Sequence, residues 1–158
     1  MKKLAAIALG SNLGSQFGDR EANLWEAVER IRELGTVKAV SSIYDTEPVG
    51  YLDQPRFLNA AVLLETSIEP SELMRALLRI EQTMGRERMG AVAKGPRVID
   101  LDLLLYGQVV MNTTELTLPH PEMMERRFVL EPLAEIAPGL VHPVLGLTVR
   151  EMLARVST

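Results

Sequence analysis

Apolar residues run unbroken from Leu4 to Leu9 and stop at Gly10, a short block that predicts a buried strand. After Asp19 the period changes. Leu24, Val28 and Ile31 fall on one helical face behind a capping aspartate, and the helix is expected to stop at Gly35. Val37–Tyr44, rich in β-branched and serine positions, predicts a second strand, which Glu47-Pro48-Val49-Gly50 breaks. Phe57–Thr66 predicts a third. Pro70 then opens a second helix whose buried face is Leu73, Leu77, Ile80 and Met84, ended by Gly85. Val98–Tyr106 predicts a fourth strand, followed by a short one near Val109–Met111. Helices over Phe128–Ile136 and Thr148–Arg155 complete the chain. The leading order β-α-β-β-α-β predicts an α+β, ferredoxin-like fold with a mainly antiparallel sheet and additional C-terminal helices. With 158 residues and no repeat or linker, residues 1–158 are expected to form one domain.

Composition narrows the possible chemistry. The absence of cysteine excludes disulfides, thiolate metal sites and thiol catalysis. A net charge of −4 argues against a general nucleic-acid binder. The apolar run behind Met1-Lys2-Lys3 is too short for a signal peptide, and no run reaches membrane-spanning length. A cytoplasmic, monomeric protein without nucleic-acid or membrane partners is expected.

The most informative segment is Arg97-Val98-Ile99-Asp100-Leu101-Asp102-Leu103. On a strand Asp100 and Asp102 project together, with Leu101, Leu103 and Leu105 on the other face. Their Cα atoms lie about 6.5–7 Å apart, which lets two carboxylates share a pair of magnesium ions. An isolated Asp-x-Asp is more often a solvated strand face. Here both acids interrupt a near-continuous apolar run, where unpaired anions are costly. Just upstream, Arg86, Arg88, Lys94 and Arg97 stand among Gly85, Gly90 and Gly95 against a single acid, Glu87. Such a loop suits a polyphosphate clamp, although taken alone it serves equally as a solvated connector. No Gly-x-x-x-x-Gly-Lys-Ser/Thr occurs, so the chain is not a P-loop protein. Gly10-Ser11-Asn12-Leu13-Gly14 lacks dinucleotide-binding spacing and reads as a structural turn. His120 is framed by Pro119 and Pro121, and His142 carries no assigned role. Phe57 and Asn59 share a strand face, a ring beside an amide. That pair can stack a flat heterocycle, yet read bare it is core plus a turn-side polar residue.

Several separate motifs, in order, resemble the 6-hydroxymethyl-7,8-dihydropterin pyrophosphokinase family. They are Ala8-Leu9-Gly10-Ser11-Asn12-Leu13-Gly14, Tyr44-Asp45-Thr46-Glu47-Pro48-Val49-Gly50 and Asp53-Gln54-Pro55-Arg56-Phe57-Leu58-Asn59-Ala60-Ala61. Gly95-Pro96-Arg97-Val98-Ile99-Asp100-Leu101-Asp102-Leu103, Leu118-Pro119-His120-Pro121-Glu122-Met123 and Ala134-Glu135-Ile136-Ala137-Pro138 follow. The resemblance implies a ferredoxin-like fold and transfer of diphosphate from ATP to the pterin's hydroxymethyl group, with AMP released, in folate biosynthesis. It implies two Mg2+ ions held by Asp100 and Asp102. Arg86 and Arg97 would be catalytic arginines on phosphate, with Arg88, Lys94 and His120 also on ATP. Thr46, Glu47, Val49, Phe57, Asn59 and Phe128 would form the pterin pocket. The sequence departs from the family pattern where Lys94 replaces a loop Trp and Pro121 an aromatic residue, so lid closure is expected to differ in detail. A nucleotidyltransferase built on the same aspartates would release pyrophosphate instead of AMP. A non-catalytic regulatory module would bind its ligand without metal or turnover.

Overall fold

The computed structural model describes residues 1–47, 56–85 and 97–156. Its central sheet runs β2–β4–β1–β5, formed by β1 (Lys3–Ser11), β2 (Thr36–Val40), β4 (Phe57–Thr66) and β5 (Asp100–Tyr106). A short β3 (Tyr44–Thr46) pairs with the start of β4, and every pairing is antiparallel. With α1 (Arg20–Ile31) and α2 (Pro70–Gly85) inserted, this is the expected ferredoxin-like arrangement. A two-stranded ribbon, β6 (Met111–Asn112) with β7 (Thr117–Leu118), follows, then α3 (Arg127–Ile136) and α4 (Val149–Arg155). Among the described residues, no helix is long and apolar enough to cross a membrane.

The sheet is covered on both faces by separate clusters. Ile7, Leu9, Leu58, Val62, Leu64, Leu101 and Leu103 meet Leu24, Val28 and Ile31 of α1 and Leu73 and Leu77 of α2. On the opposite face Ala6, Ala61, Leu104 and Leu105 meet Val129, Leu130 and Leu133 of α3 and Met152 of α4. Strand alternation assigns each residue its face. Leu105 corrects the sequence expectation: it shares a cluster with Leu104 instead of facing with Leu101. The register between β1 and β5 shifts at Ala6/Ile7, and an extra residue in a strand breaks strict alternation.

Element ends follow local chemistry. The Asp19 carboxylate accepts from the Ala22 N–H at 2.9 Å and caps α1. α1 ends at Ile31 and not at Gly35, passing into a 3-10 turn over Arg32–Leu34. Gly35 is there for space, because a Cβ would lie 2.3 Å from the Glu65 carbonyl oxygen. The expected second strand divides in two, since Ser41 leaves the ladder and exchanges bonds with Ala61 through its own N–H and hydroxyl. Thr148 and Glu151 close a capping box on α4.

Candidate active site

The site lies on the α3 face of the sheet, where the central strand carries almost no side chain. Gly10 in β1 pairs with Asn59 on one side and Asp100 on the other. Two residues along, Ala8 pairs with Ala61 and with Asp102. Each row therefore sets a β4 position and an aspartate one strand to either side of a small floor, about 9.5 Å apart. A Cβ on Gly10 would come within 3.2 Å of Asn59 Oδ1 and 3.6 Å of the Phe57 ring, so the glycine admits both side chains over the floor. The cavity above this floor is lined by Thr46, Glu47, Phe57 and Asn59 at one end. Arg97, Asp100 and Asp102 line the other, with Arg126 and Phe128 closing it from α3.

Hydrogen bonds orient the Asn59 end of the cavity. Asn59 donates through Nδ2 to the Thr46 hydroxyl, which leaves Oδ1 over Gly10 as an acceptor. α3 is fastened to this end by Glu135, whose carboxylate accepts from the Ser42 N–H, the Ser42 hydroxyl and the Tyr44 hydroxyl (2.8 Å). Phe128 lies two turns earlier on the same helix.

The other end is electrostatically tense. Burial pushes the Asp102 carboxyl up to about 6 and the neighbouring Asp100 charge adds to it, while Arg126 and Arg97 pull it down. A third carboxylate reaches the pair around the sheet edge. Glu81 on α2 accepts from the Leu101 N–H at 2.6 Å and shares a hydrogen bond with Asp100. Burial pushes Glu81 up to about 8; its bond from Leu101 opposes this, and the charges of Asp100 and Asp102 reinforce it. Among the described residues no group of three or more His, Cys, Asp or Glu is arranged to hold a metal ion. A close carboxylate pair that lines a cavity nevertheless suits magnesium, which takes one or two carboxylates and completes its shell with phosphate and water.

His120 lies beside the cavity and not in its lining. It follows a cis Leu118–Pro119 bond, and its N–H is held by the Leu104 carbonyl at 2.9 Å. Burial, then Arg126, lowers its pKa, and Nδ1 accepts from the Glu122 N–H. A neutral ring with Nδ1 so occupied presents Nε2–H as a donor. Val49, Arg86, Arg88 and Lys94 lie outside the described residues. Of the expected positions, Thr46, Glu47, Phe57, Asn59, Arg97, Asp100, Asp102 and Phe128 meet in one cavity.

A family model for 7,8-dihydro-6-hydroxymethylpterin-pyrophosphokinase (HPPK) matches residues 6–138. The chain belongs to the HPPK family. It is 50% identical over 138 residues to the 2-amino-4-hydroxy-6-hydroxymethyldihydropteridine pyrophosphokinase of Bacillus subtilis, covering 86% of this chain and 79% of that one. The enzyme of the same name from Pseudomonas aeruginosa is 44% identical over 87% of this chain and 82% of its own. A folic acid synthesis protein of Schizosaccharomyces pombe is 42% identical over 96% of this chain, which spans only 20% of that longer protein. Among solved structures, wild-type HPPK-DHPS of Plasmodium falciparum has the same fold, with a TM-score of 0.73 over 98% of this chain and 44% of its own, at 16% identity.

Within this HPPK site two residues escaped the sequence reading. Arg126, the residue before α3, pairs with Glu122, stacks over the Phe128 ring at 5.6 Å and faces Asp102. In sequence it is half of an i,i+4 pair, indistinguishable from a surface salt bridge. Glu81 reads as one more charge on an amphipathic helix. It is flanked by Arg79, Gln82 and Thr83, and nothing in its sequence setting sets it apart.

Proposed function

We propose that the chain transfers diphosphate from ATP to the hydroxymethyl group of 6-hydroxymethyl-7,8-dihydropterin, releasing AMP, in tetrahydrofolate biosynthesis. The observation that carries this activity onto particular residues is the row Asn59–Gly10–Asp100. It sets an amide, in a cavity that Phe57 and Phe128 also line, across a glycine floor from a carboxylate pair. Phe57 and Phe128 sandwich the flat pterin, and Asn59 Oδ1 accepts from the donor edge of the ring. Backbone groups of Thr46, Glu47 and Val49 complete that edge.

Asp100 and Asp102 are the residues to hold Mg2+, two ions with ATP. Bound there, the metal would neutralise phosphate charge and acidify the attacking hydroxyl. The pterin lies across the sheet with its hydroxymethyl group toward the aspartates, in line with the β-phosphorus. The new bond joins that oxygen to the β-phosphorus as its proton passes to solvent; the bond from the β-phosphorus to the α,β-bridging oxygen breaks, and AMP departs with the bridging oxygen. Arg97, with Arg86, donates to the charge on the transferring group. Arg88, Lys94 and the Nε2–H of His120 contact ATP, and Arg126 joins this cationic wall. Residues 1–158 act as one pyrophosphokinase domain, as a monomer in the cytoplasm.

The test is nucleotide product analysis with magnesium, ATP and the pterin. Wild type is expected to form AMP only when the pterin is present. Asp100→Ala and Arg97→Ala keep the fold and lose a hundredfold or more, on the order of 3–4 kcal/mol of barrier. Undiminished AMP formation by folded Asp100→Ala would remove the metal assignment, and pyrophosphate release would assign a nucleotidyltransferase instead.

A further inference from the structure

The turn after β1 carries polar side chains deeper than a connector needs. Ser11, Asn12 and Asn23 are 0%, 1% and 0% exposed. Buried amides are costly unless fully bonded, so a turn that only had to reverse the chain would not require them. Part of the network does serve the turn. Asn23 Nδ2 donates to the Leu13 carbonyl at 2.7 Å and the Ser15 hydroxyl donates to Asn23 Oδ1, tying the turn to α1. Asn12 reaches elsewhere. Its N–H donates to the Arg97 carbonyl at 3.0 Å, and the Leu13 N–H reaches the same oxygen at 3.1 Å. Its side-chain Oδ1 accepts from the Arg97 N–H at 2.7 Å.

Arg97 is thereby held at both of its backbone polar groups, three residues before β5 begins. Holding both fixes the peptide planes on either side of the Cα, and with them the direction of the Cα–Cβ bond into the cavity. We infer that Asn12 is a positioning residue for Arg97: the buried Asn12 side chain clamps the arginine's backbone so that its guanidinium faces the transferring phosphoryl group. The inference rests on the role given to Arg97 above. Placement errors of about 1 Å at a charge-stabilising donor cost up to a hundredfold in rate, so the clamp acts on turnover. The pterin end, built from Phe57 and Asn59 on β4, stays in place.

The experiment is a double-mutant cycle on pterin-dependent AMP formation. Asn12→Ala in the wild-type background is expected to lower kcat about 10- to 100-fold with KM for the pterin within about threefold. In the Arg97→Ala background the same substitution is expected to change kcat by less than about twofold, because no guanidinium is left to aim. Equal losses in both backgrounds would mean that Asn12 acts on the fold at large, and the positioning role would be overturned. Unchanged kcat in Asn12→Ala would overturn it as well. Arg97→Ala alone tests the role of Arg97: near-normal turnover there sinks that assignment, whereas additive losses sink only the clamp. Asn12→Ser puts a hydroxyl in the buried network, one bond shorter than the amide and so short of the Arg97 N–H. It carries the same expectations should the alanine variant not fold.

Discussion

Glu81→Gln is expected to make the metal-free protein more stable at neutral pH while leaving it little changed at pH 5. The carboxyl is held protonated by burial, with a folded pKa of about 8 against an ordinary 4.5. A folded pKa above the unfolded one stabilises below the unfolded value, and that stability drains away as pH climbs toward the folded value. At pH 7 the folded state keeps its proton while the unfolded chain has released it, a penalty of about 3 kcal/mol at 1.36 kcal/mol per unit. At pH 5 the same comparison costs under about 1 kcal/mol, so wild type loses roughly 2–3 kcal/mol across that window through this group alone. Glutamine reproduces the protonated acid: its oxygen accepts from the Leu101 N–H and its amide donates to Asp100, with nothing to ionise. For a chain of this length the difference amounts to roughly 5–10 °C in Tm at pH 7. Urea or thermal unfolding of both proteins with chelator at pH 5, 6, 7 and 8 measures it. Parallel stability–pH curves would refute the reasoning, since they would mean that Glu81 is already ionised in the folded state.

Three further perturbations separate the parts of the site. Gly10→Ala places a methyl 3.2 Å from Asn59 Oδ1 and is expected to raise KM for the pterin about tenfold while sparing Mg2+ dependence; unchanged KM would show that the floor is not in contact with substrate. Arg126→Ala removes a charge that favours ionised Asp102, so the acid limb of the rate–pH profile is expected to move to higher pH, with turnover down tenfold or more; an unmoved limb would uncouple the two groups. Gly35→Ala drives a methyl into the Glu65 carbonyl at 2.3 Å. It is expected to cost about 1–3 kcal/mol in urea titration, the usual cost of overpacking, with kcat intact.

What could be read along the chain was whatever one element decides by itself. Phe57–Thr66 and Pro70–Gly85 fall where period and proline placed them, and the face shared by Asp100 and Asp102 follows from alternation alone. What stayed hidden depends on a second element. Leu105 changes face through a register shift set by β1, and β7 is too short to carry a period. Glu81 becomes part of the site only because α2 runs past the open edge of β5. The spacing of Gly10–Gly14 marks a structural turn. It does serve that purpose, but the partner it holds is 85 residues away.

The Asn59–Gly10–Asp100 row has a consequence for how this site can vary. The distance from the Asn59 amide to the carboxylates is a ruler two strands wide, graduated by backbone hydrogen bonds on both sides of β1. Loops at the cavity rim can lengthen, shorten or exchange residues without moving either mark. A bulge within the row itself, in β1 beside Gly10, in β4 beside Asn59 or in β5 beside Asp100, is what would reset it. A molecule made to occupy both ends at once must therefore span a fixed gap, and a rigid spacer cut to that length should suit related enzymes whose loops differ.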